Sequence, residues 1–387
     1  MANENNSDFN NKIIDVIIPN YNGLKFIENC LLSISKQTLS NFDTIVVDND
    51  STDGSAELIR ERFPWVHLIR LKKNYGFARA ANEGIRHSEA EYVVLLNNDT
   101  VVNKNFIENL YKAIDNKKDV FSYQAKMVNL YNKEVMDSAG DLYCMFGWAF
   151  SVGKDKPVSE FTKDRAIFSA CGGAAIYRRS ILDEIGLFDE RHFCYLEDVD
   201  LGYRARLFGY QNRFCPDAVV YHAGSGTTGS RHNPFKVRLS AGNNIFLIYK
   251  NMPLWQICIN FPFLLLGHLI KLVYFVGKGS RDSQNSGKPT GKESGAGSFA
   301  QSLRLRSGQR AVGRIAQRSL YAEFTGKFCA APNGEPLRKG LGKEYLQGIG
   351  RGFRLCRRYS DAKIKAKDPV NYLKIQAELG IYSFQRL

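Results

Sequence analysis

A short polar motif follows a run of apolar residues in the first half of the chain. Residues 92–96 read Tyr-Val-Val-Leu-Leu, and the run ends abruptly at Asn97, Asn98 and Asp99. This pattern predicts a buried parallel strand that delivers polar side chains to a cleft at its carboxyl end. A carboxylate flanked by amides suits a hard cation that also holds phosphate oxygens. The alternative is ordinary turn chemistry, in which asparagine and aspartate are common.

A second group of acidic residues begins a segment whose pattern predicts a helix over 197–208. Consecutive helical residues point about 100° apart, so only one of Glu197 and Asp198 can face a bound substrate. Asp200 and Arg204 have the i, i+4 spacing of an ion pair on a helix surface. These acids therefore predict either a proton-accepting carboxylate in a cleft or an electrostatically favoured helix N-terminus.

The elements that must position these residues alternate between strands and helices. Apolar runs predict strands over 13–18, 42–48, 66–71, 92–96 and 120–128. Helical periodicity predicts four helices. The first runs from 24 to about 37, and the second begins after a cap at Ser51 or Asp53 and ends at 62. The third covers 77–87, and the fourth runs from 104 to about 116. Strands that alternate with helices in this way predict βαβ units and hence an α/β fold with a mostly parallel sheet.

The segment that follows the predicted sheet has a looser pattern. We expect residues 129–164 to form a loop-rich wall over the site. A strand is predicted over 167–177, where Gly172 and Gly173 leave room for a ligand or for close packing. Another strand is predicted over 212–221, and it ends at His222.

Net charge divides the chain into a neutral front and a basic back. Residues 1–276 hold 31 Lys and Arg against 31 Asp and Glu, whereas residues 277–387 hold 22 against 8 and give the whole net charge of +14. This division predicts a catalytic or binding domain followed by a segment that seeks an anionic surface. The eight cysteines are scattered without CxxC spacing, which indicates thiols in a reducing compartment.

The two ends of the chain give further expectations. Residues 1–11 are polar, which predicts a disordered N-terminus without a signal peptide. Residues 277–335 are rich in Gly, Ser and Lys at their start and are interpreted as a linker. Residues 336–387 contain a basic amphipathic segment over 342–358, which suits anionic lipid head groups. We expect no nucleic-acid partner, because the tail carries no recognised nucleic-acid motif.

An apolar segment over 251–276 separates the two halves. It is about as long as a bilayer-spanning helix, which needs about 20 residues. Pro262, His268 and Lys271 interrupt it. We therefore interpret it as one or two helices lying in the membrane interface, with a transmembrane helix and a buried core helix as the alternatives.

Five motifs at the predicted strand ends, in this order, resemble those of family 2 glycosyltransferases. They are VIIPNYNG over 16–23, VVDNDSTDGS over 46–55, NYGFARAANEG over 74–84, LLNNDT over 95–100 and YLEDVDLGYR over 195–204. The similarity covers roughly residues 12–276 and is closest to the bacterial branch that includes rhamnosyltransferases of cell-surface polysaccharide synthesis. It implies a GT-A domain over 12–250, with a Rossmann-like nucleotide-binding sheet flanked by helices.

The resemblance also implies a nucleotide-sugar site. The residues that it places there are Pro19, Tyr21, Asn22, Asp48, Asn74, Arg79, Asn82, Asn98 and Asp99. Asp48 would accept a hydrogen bond from the imino N–H of uracil or thymine, since a carboxylate is only an acceptor. Asn74, Arg79 and Asn82 would lie beside the ribose and diphosphate. One departure is Asp50, which stands where the family usually has glycine.

The metal and the base follow from the same resemblance. Asp99 corresponds to the last residue of the family's metal-binding DxD motif, whereas Asn97 stands in place of its first aspartate. With His222 as a second ligand, Asp99 would hold Mn2+ or Mg2+. Asp198 would take the proton of the acceptor hydroxyl, with Glu197 beside it as an acceptor contact.

Together these features imply an inverting, metal-dependent glycosyltransferase. It would move a sugar, with rhamnose as the first candidate, from a dTDP- or UDP-linked donor to a lipid-linked saccharide. It would work as a peripheral or monotopic enzyme at the cytoplasmic face of an anionic membrane. A nucleotidyltransferase is a rival, disfavoured because residues 19–23 contain no Lys or Arg. The other rival is a non-catalytic protein that binds nucleic acid or membrane through its basic tail.

Overall fold

The computed structural model describes residues 12–224, 233–285 and 341–384, with side chains up to residue 276 in the second range. The predictions for residues 1–11 and for most of the linker lie outside the described residues. The apolar segment forms one helix that continues to Asn285, into the start of the predicted linker.

The strands and helices follow the predicted alternation through the first half of the chain. The strands are β1 (Ile14–Asn20), β2 (Phe42–Asp48), β3 (His67–Arg70), β4 (Tyr92–Leu96), β5 (Thr100–Val102), β6 (Val120–Asn129), β7 (Met136–Ser138), β8 (Asp141–Cys144), β9 (Trp148–Ser151), β10 (Arg165–Ile167), β11 (Ala174–Arg178) and β12 (Gln211–His222). The helices are α1 (Leu24–Ile34), α2 (Ser55–Arg62), α3 (Phe77–His87), α4 (Phe106–Ile114), α5 (Arg179–Ile185), α6 (Glu197–Leu207), α7 (Pro234–Asn251), α8 (Leu254–Asn285), α9 (Leu341–Arg358) and α10 (Val370–Phe384). Short 3-10 turns lie at Val158–Glu160 and Glu190–His192.

One mixed sheet forms the centre of the molecule. Its main path is β10-β12-β6-β11-β4-β1-β2-β3, with β5 paired to β12 and β7 paired to β6. The four strands β1 to β4 are parallel to one another. Strand β11 is antiparallel to both β4 and β6, so β6 has the same direction as β4, and β12 is parallel to β6. The predicted α/β fold with a mostly parallel sheet is confirmed.

The central strands are apolar at nearly every position because both of their faces are buried. In β1, Val16 and Ile18 pack into the cluster on the α1 side, whereas Ile17 packs into the cluster on the α3 side. In β4, Val94 and Val93 divide between the same two clusters. Continuous apolar runs are typical of such parallel strands.

The prediction of one strand over 167–177 is wrong. The strand β10 ends at Ile167 and pairs with β12 near the sheet edge, whereas β11 begins at Ala174 and inserts between β4 and β6. The chain must cross from one sheet position to the other, and the small residues around Gly172 and Gly173 make that crossing. In the segment 129–164, the structure adds β7 and the β8–β9 hairpin to the expected loops.

Up to residue 276, the helix α8 buries several polar side chains together with Leu264 and Phe275, and the side chains that it exposes are apolar. Gln256, Asn260 and Lys271 are buried. The exposed positions between residues 254 and 276 are Leu254, Trp255, Cys258, Ile259, Phe261, Pro262, Phe263, Leu265, Leu266, Leu269, Val273 and Val276. Its inner side packs against the β8–β9 hairpin so closely that a Cβ on Gly267 would lie 2.4 Å from the carbonyl oxygen of Phe146. Among the described helices, the stretch Leu254–Val276 has the length and apolar composition to cross a membrane.

The helices α9 and α10 pack on the helices that adjoin the site, rather than apart from them. The helix α9 lies along α7 and α8, and α10 contacts α6 and β8. Asn371 donates to the carbonyl of Leu207 at the end of α6 (3.0 Å), and Glu378 forms an ion pair with Arg206. The basic C-terminal region therefore supports the α/β domain directly.

Candidate active site

The carboxyl ends of β1, β2 and β4 bring three polar side chains together. Asn20 Nδ2 donates to Asp48 Oδ1 (3.0 Å), and Asn20 Oδ1 accepts from Asn98 Nδ2 (2.8 Å). A Cβ on Gly23 would lie 2.2 Å from both Asn20 Oδ1 and Asn98 Nδ2. Glycine therefore leaves the space in which this asparagine pair forms.

Asp48 is fully buried, and the turn after β2 surrounds it. Its Oδ2 accepts from the backbone N–H of Ser51 (3.1 Å) and lies 3.7 Å from Nε of Arg70. Asp50 has a φ of 66°, in the left-handed region that favours glycine, which gives a conformational reason for glycine at this position in the family. A carboxylate oxygen has two lone pairs, so Asp48 retains acceptor capacity for a base. Its contact with a uracil or thymine ring stays a prediction.

Pro19, Tyr21 and Asn22 lie at the end of β1 and are partly exposed. The side-chain oxygen of Asn22 accepts from the backbone N–H of Thr52 (2.9 Å), and the backbone N–H of Asn22 donates to Ser51 Oγ (2.9 Å). These bonds tie the end of β1 to the turn after β2. The expected roles of these residues in the nucleotide pocket stay predictions.

The turn before α3 is ordered by asparagine side chains. Asn74 Oδ1 accepts from the backbone N–H of Gly76 (2.9 Å) and from Asn49 Nδ2 (3.0 Å). Asn49 Oδ1 in turn accepts from the backbone N–H of Tyr75 (2.9 Å). The contact of Asn74 with the ribose or diphosphate stays a prediction.

Asn82 and Arg79, on the predicted diphosphate helix, contact the loop that precedes α6. Asn82 is buried, donates to the carbonyl of Phe188 (2.8 Å) and to Glu190 Oε1 (3.0 Å), and accepts from the N–H of Phe188 (3.0 Å). Arg79 pairs with Glu83 (3.1 Å) and Glu190 (3.4 Å). These bonds give both residues a structural role in docking this loop, and their diphosphate contacts stay predictions.

The predicted metal ligands Asp99 and His222 lie side by side in the interior. Asp99 Oδ1 is 3.1 Å from Nε2 of His222, and the pair is almost fully buried. Nδ1 of His222 lies 2.8 Å from Asp137 Oδ2, and Lys154 contacts the other oxygen of Asp137. Burial lowers the pKa of His222, but the two carboxylates outweigh burial and raise this pKa to about 9.

This arrangement fits a divalent cation. Asp99 Oδ1 is buried and, among the described residues, makes no bond of hydrogen-bond geometry. A bound cation would displace the proton that the raised pKa keeps on Nε2 of His222. With Nδ1–H donated to Asp137, Nε2 would then offer its lone pair, and the bond to Asp137 is the carboxylate–histidine arrangement found behind metal ligands. The 3.1 Å between Asp99 Oδ1 and Nε2 is close to the ~3 Å that separates adjacent ligands about 2.1 Å from an ion.

The proposed base lies across a glycine turn from the Asn97–Asp99 motif. Asp198 is partly exposed, whereas its neighbour Glu197 is buried, as expected for consecutive helical residues. The backbone N–H of Gly172 approaches Asp198 Oδ2 (3.4 Å), and the carbonyl of Gly173 accepts from the backbone N–H of Asn97 (2.9 Å). The crossing between β10 and β11 thus joins the two acidic parts of the site.

Two carboxylates at this site lie in the segment that the sequence predicted only as a loop-rich wall. One is Asp137, which contacts His222. The other is Asp141, whose carboxylate lies with Cys171 Sγ and the Asp198 carboxylate within 4.8 Å of one another. The signal for both is the Asp-Ser-Ala-Gly-Asp sequence over 137–141. That signal is weak, because the same residues are typical of turns.

Asp200 points away from the cleft and into a buried network. Asp200 Oδ2 contacts Nε of Arg204 (3.0 Å), which confirms the predicted i, i+4 pair, but the pair is buried and not on the helix surface. Nζ of Lys250 lies 2.8 Å from the same oxygen and 2.7 Å from Asp189 Oδ2. Burial raises the pKa of Asp200, but Lys250 and Arg204 outweigh burial and hold this pKa below its usual range.

Comparisons with known proteins agree with the fold and with the motifs. Residues 15–186 match the model of the family described as Glycosyl transferase family 2. Glycosyltransferase GlyG of Streptococcus pneumoniae serotype 4 is 30% identical over 192 residues, which cover 47% of this chain and 60% of GlyG. The chain therefore spans less than two thirds of that relative. N-acetylglucosaminyl-diphospho-decaprenol L-rhamnosyltransferase of Mycobacterium tuberculosis is 24% identical over 269 residues, or 63% of this chain and 87% of that protein.

The structural comparison supports the predicted fold type. The crystal structure of GalNAc-T7 with UDP, GalNAc and Mn2+ superposes with a TM-score of 0.50 at 17% identity, over 62% of this chain and 48% of that one. At this identity the likeness concerns the fold alone, which is the predicted GT-A type. The family match covers β1 to α5 and includes the asparagine pair, Asp48 and Asp99. Residues 15–186 of this chain, from β1 to α5, are therefore similar to a glycosyl transferase family 2 domain.

Proposed function

We propose that the protein is an inverting, metal-dependent glycosyltransferase that uses a dTDP- or UDP-linked sugar. The observation that carries the proposal is the glycine turn that bonds to Asp198 on one side and to Asn97 on the other. This turn links the carboxylate proposed as base to the Asn97–Asp99 motif, as expected if both border one donor and acceptor cleft. A donor diphosphate at the motif would hold its sugar carbon towards Asp198, where an acceptor hydroxyl can attack in line.

The donor base would be recognised by Asp48. A carboxylate accepts the imino N–H of uracil or thymine, and it has no donor for the unprotonated N3 of cytosine. Rhamnose is the first candidate for the sugar, because one relative of this chain is named as an L-rhamnosyltransferase. The donor panel described below distinguishes it from other sugars.

Asp99 and His222 would hold Mn2+ or Mg2+, with Asp137 fixing the orientation of the imidazole. When bound, the ion supplies positive charge beside the diphosphate, so no protein acid is required for the leaving group. Asp198 accepts the proton of the attacking hydroxyl, and Glu197 would support the acceptor beside it. Attack on the face opposite the leaving group inverts the configuration at the sugar carbon.

The acceptor would be a lipid-linked saccharide, reached from the cytoplasmic face of the membrane. The name of the mycobacterial relative includes a diphospho-decaprenol acceptor. In this chain, α8 exposes an entirely apolar side while its other side packs against the β8–β9 hairpin. That distribution favours a helix lying in the interface over a transmembrane helix. Exposed Leu346 and Phe353, with the exposed Arg357 and Arg358 at the end of α9, would extend this surface towards anionic lipid.

The test of the catalytic proposal measures nucleoside diphosphate release from a panel of sugar nucleotides. Each is supplied with Mn2+, Mg2+ or EDTA and with a bacterial membrane extract as the source of acceptor. We expect release from a uridine or thymidine donor, dependent on the metal, and lowered by about 10²–10⁴-fold in Asp198→Asn. The matched control is Asp183→Asn, an exposed carboxylate on α5. Native rates in Asp198→Asn would show that another group is the base.

The test of the membrane proposal measures flotation with vesicles that contain phosphatidylglycerol. The double variant Leu265→Asp with Leu269→Asp changes two residues of the exposed apolar side of α8, each 48% exposed. We expect it to remain unbound, because charge opposes insertion of this side into lipid. Leu32→Asp, at an exposed position of α1, is the control and is expected to float like the native chain. Equal flotation of all three proteins would contradict the assignment of this surface.

A further inference from the structure

The backbone just before the proposed base is strained. Phe193 has φ 66° and ψ −64°, and the N–H of Cys194 donates to the carbonyl of His192 (2.8 Å), which makes a tight three-residue turn. Tyr195 and Leu196 also have positive φ, at 71° and 67°. None of these residues is glycine, and each such conformation costs about 1–3 kcal/mol. Contacts from the surrounding structure must therefore stabilise this segment.

One side chain of α7 binds three carbonyls of this segment. Nδ2 of Asn243 lies 2.9 Å from the carbonyl oxygens of His192 and Cys194 and 2.8 Å from that of Tyr195. Asn243 is fully buried. Buried carbonyls require hydrogen-bond partners, and in the strained turn these three point to the same amide rather than into a regular ladder.

The amide of Asn243 is oriented by an arginine from α9. Nη1 of Arg351 donates to Asn243 Oδ1 (2.6 Å), and its Nη2 donates to the carbonyl of Arg191 (3.0 Å). With its oxygen bonded to a guanidinium, the Asn243 side chain must present its nitrogen to the loop. Arg351 thus fixes which end of the amide faces the strained turn.

Glycines bring α9 close enough for this contact. A Cβ on Gly348 would lie 2.3 Å from the carbonyl oxygen of Arg238, and one on Gly352 would lie 2.7 Å from that of Gly242. The backbones of α7 and α9 therefore touch directly along this face. Such small-residue packing lets Arg351 reach across the end of Asn243, although the two residues are 108 positions apart.

The same loop touches the donor side of the cleft. The carbonyl of Phe193 accepts from the backbone N–H of Ala78 (3.2 Å), in the first turn of α3. A Cβ on Gly76 would lie 2.4 Å from that carbonyl oxygen. The strained turn is therefore bounded by α3 on one side and by Asn243 on the other, and it ends at Leu196, the residue before α6.

We propose that Asn243 and Arg351 are positioning residues for the base Asp198. Arg351 orients the Asn243 amide, which holds the strained turn, and the turn sets the start of α6, on which Asp198 stands. This inference rests on the proposed role of Asp198. It assigns α9 a part in catalysis that is separate from membrane contact, since the partly buried Arg351 bonds to Asn243 and to the carbonyl of Arg191, while Leu346 and Phe353 are exposed.

The test compares Arg351→Met, Arg351→Lys and Arg354→Met in the full chain. Methionine keeps much of the length of the arginine side chain but donates no hydrogen bond, and lysine can replace only part of the planar fork. Arg354 is an exposed arginine of the same helix, so its loss removes the same charge without touching Asn243. Turnover is measured with membrane extract dissolved in detergent, so that membrane binding does not limit the rate.

We expect Arg351→Met to lower kcat by 10-fold or more while KM for the sugar nucleotide changes less than twofold. Arg351→Lys should recover part of the loss, and Arg354→Met should match the native chain. A kcat within twofold of native in Arg351→Met would overturn the proposal, as would an equal loss in Arg354→Met.

A second measurement separates this proposal from the proposed function. Hydrogen exchange at the amide of Cys194, which donates within the strained turn, should accelerate in Arg351→Met and not in Arg354→Met. If every protein, including the native chain, shows no transferase activity while the exchange differs as expected, the catalytic assignment fails and the structural link stands. Unchanged exchange in Arg351→Met would overturn the link itself.

Discussion

The two walls of the cleft are held by different kinds of interaction. The donor wall, formed by Asn20, Asp48 and Asn98, is joined by side-chain hydrogen bonds among the ends of neighbouring strands. The catalytic wall, formed by residues 189–196 and the start of α6, contains strained backbone and is held in place by buried ion pairs and by hydrogen bonds to its carbonyls. Its supports come from residues as distant in sequence as Lys250 and Arg351.

The two walls therefore depend on different parts of the chain: the donor wall on its own strands, and the catalytic wall on distant helices. The donor wall is complete once three parallel strands are in register, because each strand end brings its own polar residue. The catalytic wall needs α7 and α9 to be docked before its backbone is stable. A change far from the cleft is therefore expected to affect the base more than the donor site.

The largest expected effect comes from the buried charges of the catalytic wall. Lys250→Met removes the ammonium that lies 2.7 Å from Asp189 Oδ2 and 2.8 Å from Asp200 Oδ2. Breaking a buried pair from one side costs about 3–5 kcal/mol, because the remaining carboxylates stay desolvated. We expect a loss of that size in the free energy of unfolding, measured with urea.

The control for this prediction is the ion pair of the donor wall. Arg70, whose side chain is 43% exposed, lies 3.7 Å from Asp48. Its replacement, Arg70→Met, should cost no more than about 1 kcal/mol, because the guanidinium is half-exposed and Asp48 keeps its hydrogen bonds from Asn20 and Ser51. Equal losses in the two variants would remove the distinction between the walls.

The next effect is a pH dependence that belongs to the catalytic wall. His192 is fully buried, and neither ring nitrogen has a hydrogen-bond partner among the described residues. Burial lowers its pKa from 6.5 to about 4, with Lys250 and Arg351 acting in the same direction and with Asp200 and Asp189 opposing them. The unfolded chain therefore binds a proton between these pH values that the folded chain does not bind.

Folding stability should therefore fall as the pH decreases from 6.5 to about 4. The loss attributable to this one group is about 3 kcal/mol. Asp189 and Asp200 have pKa values below the usual range, so their own loss begins at lower pH. Urea unfolding at several pH values measures the effect, and His192→Leu should flatten the curve over this interval. A curve of unchanged slope in His192→Leu would show that other groups govern it.

The sequence predicts the donor wall better than the catalytic wall for a physical reason. Asn97–Asp99 and Asp48 follow apolar runs, and parallel strands place such residues at one edge of the sheet. The predicted pair of Asp200 and Arg204 forms because its two residues are one helical turn apart. Each of these predictions depends on short-range geometry that a sequence pattern encodes.

The supports of the catalytic wall have no such signal. Lys250, Asn243 and Arg351 meet the loop only because helices α7 and α9 dock beside it, and nothing in their local sequence distinguishes them from surface residues. The pattern of residues 234–251 does not indicate the helix α7, because many of its buried residues are polar. The break between β10 and β11 was also missed, because the small residues that allow the chain to cross also occur inside strands.

The smallest expected effect comes from a substitution that disrupts the donor wall at one point. In Gly23→Ala, the new methyl group would lie 2.2 Å from Asn20 Oδ1 and from Asn98 Nδ2, so this hydrogen-bonded pair must separate. Overpacking of this kind costs about 1–3 kcal/mol. Because Asn20 also holds Asp48, we expect about a 10-fold weaker affinity for the sugar nucleotide, measured by calorimetry, with little change at the catalytic wall.

The control is Gly380→Ala in α10, where a Cβ meets no atom within 4 Å. Alanine should stabilise that helix by about 0.5–1 kcal/mol and leave donor affinity unchanged. If Gly23→Ala instead lowered kcat and preserved donor affinity, the two walls would not be independent, and the asparagine pair would have to be assigned to the catalytic wall.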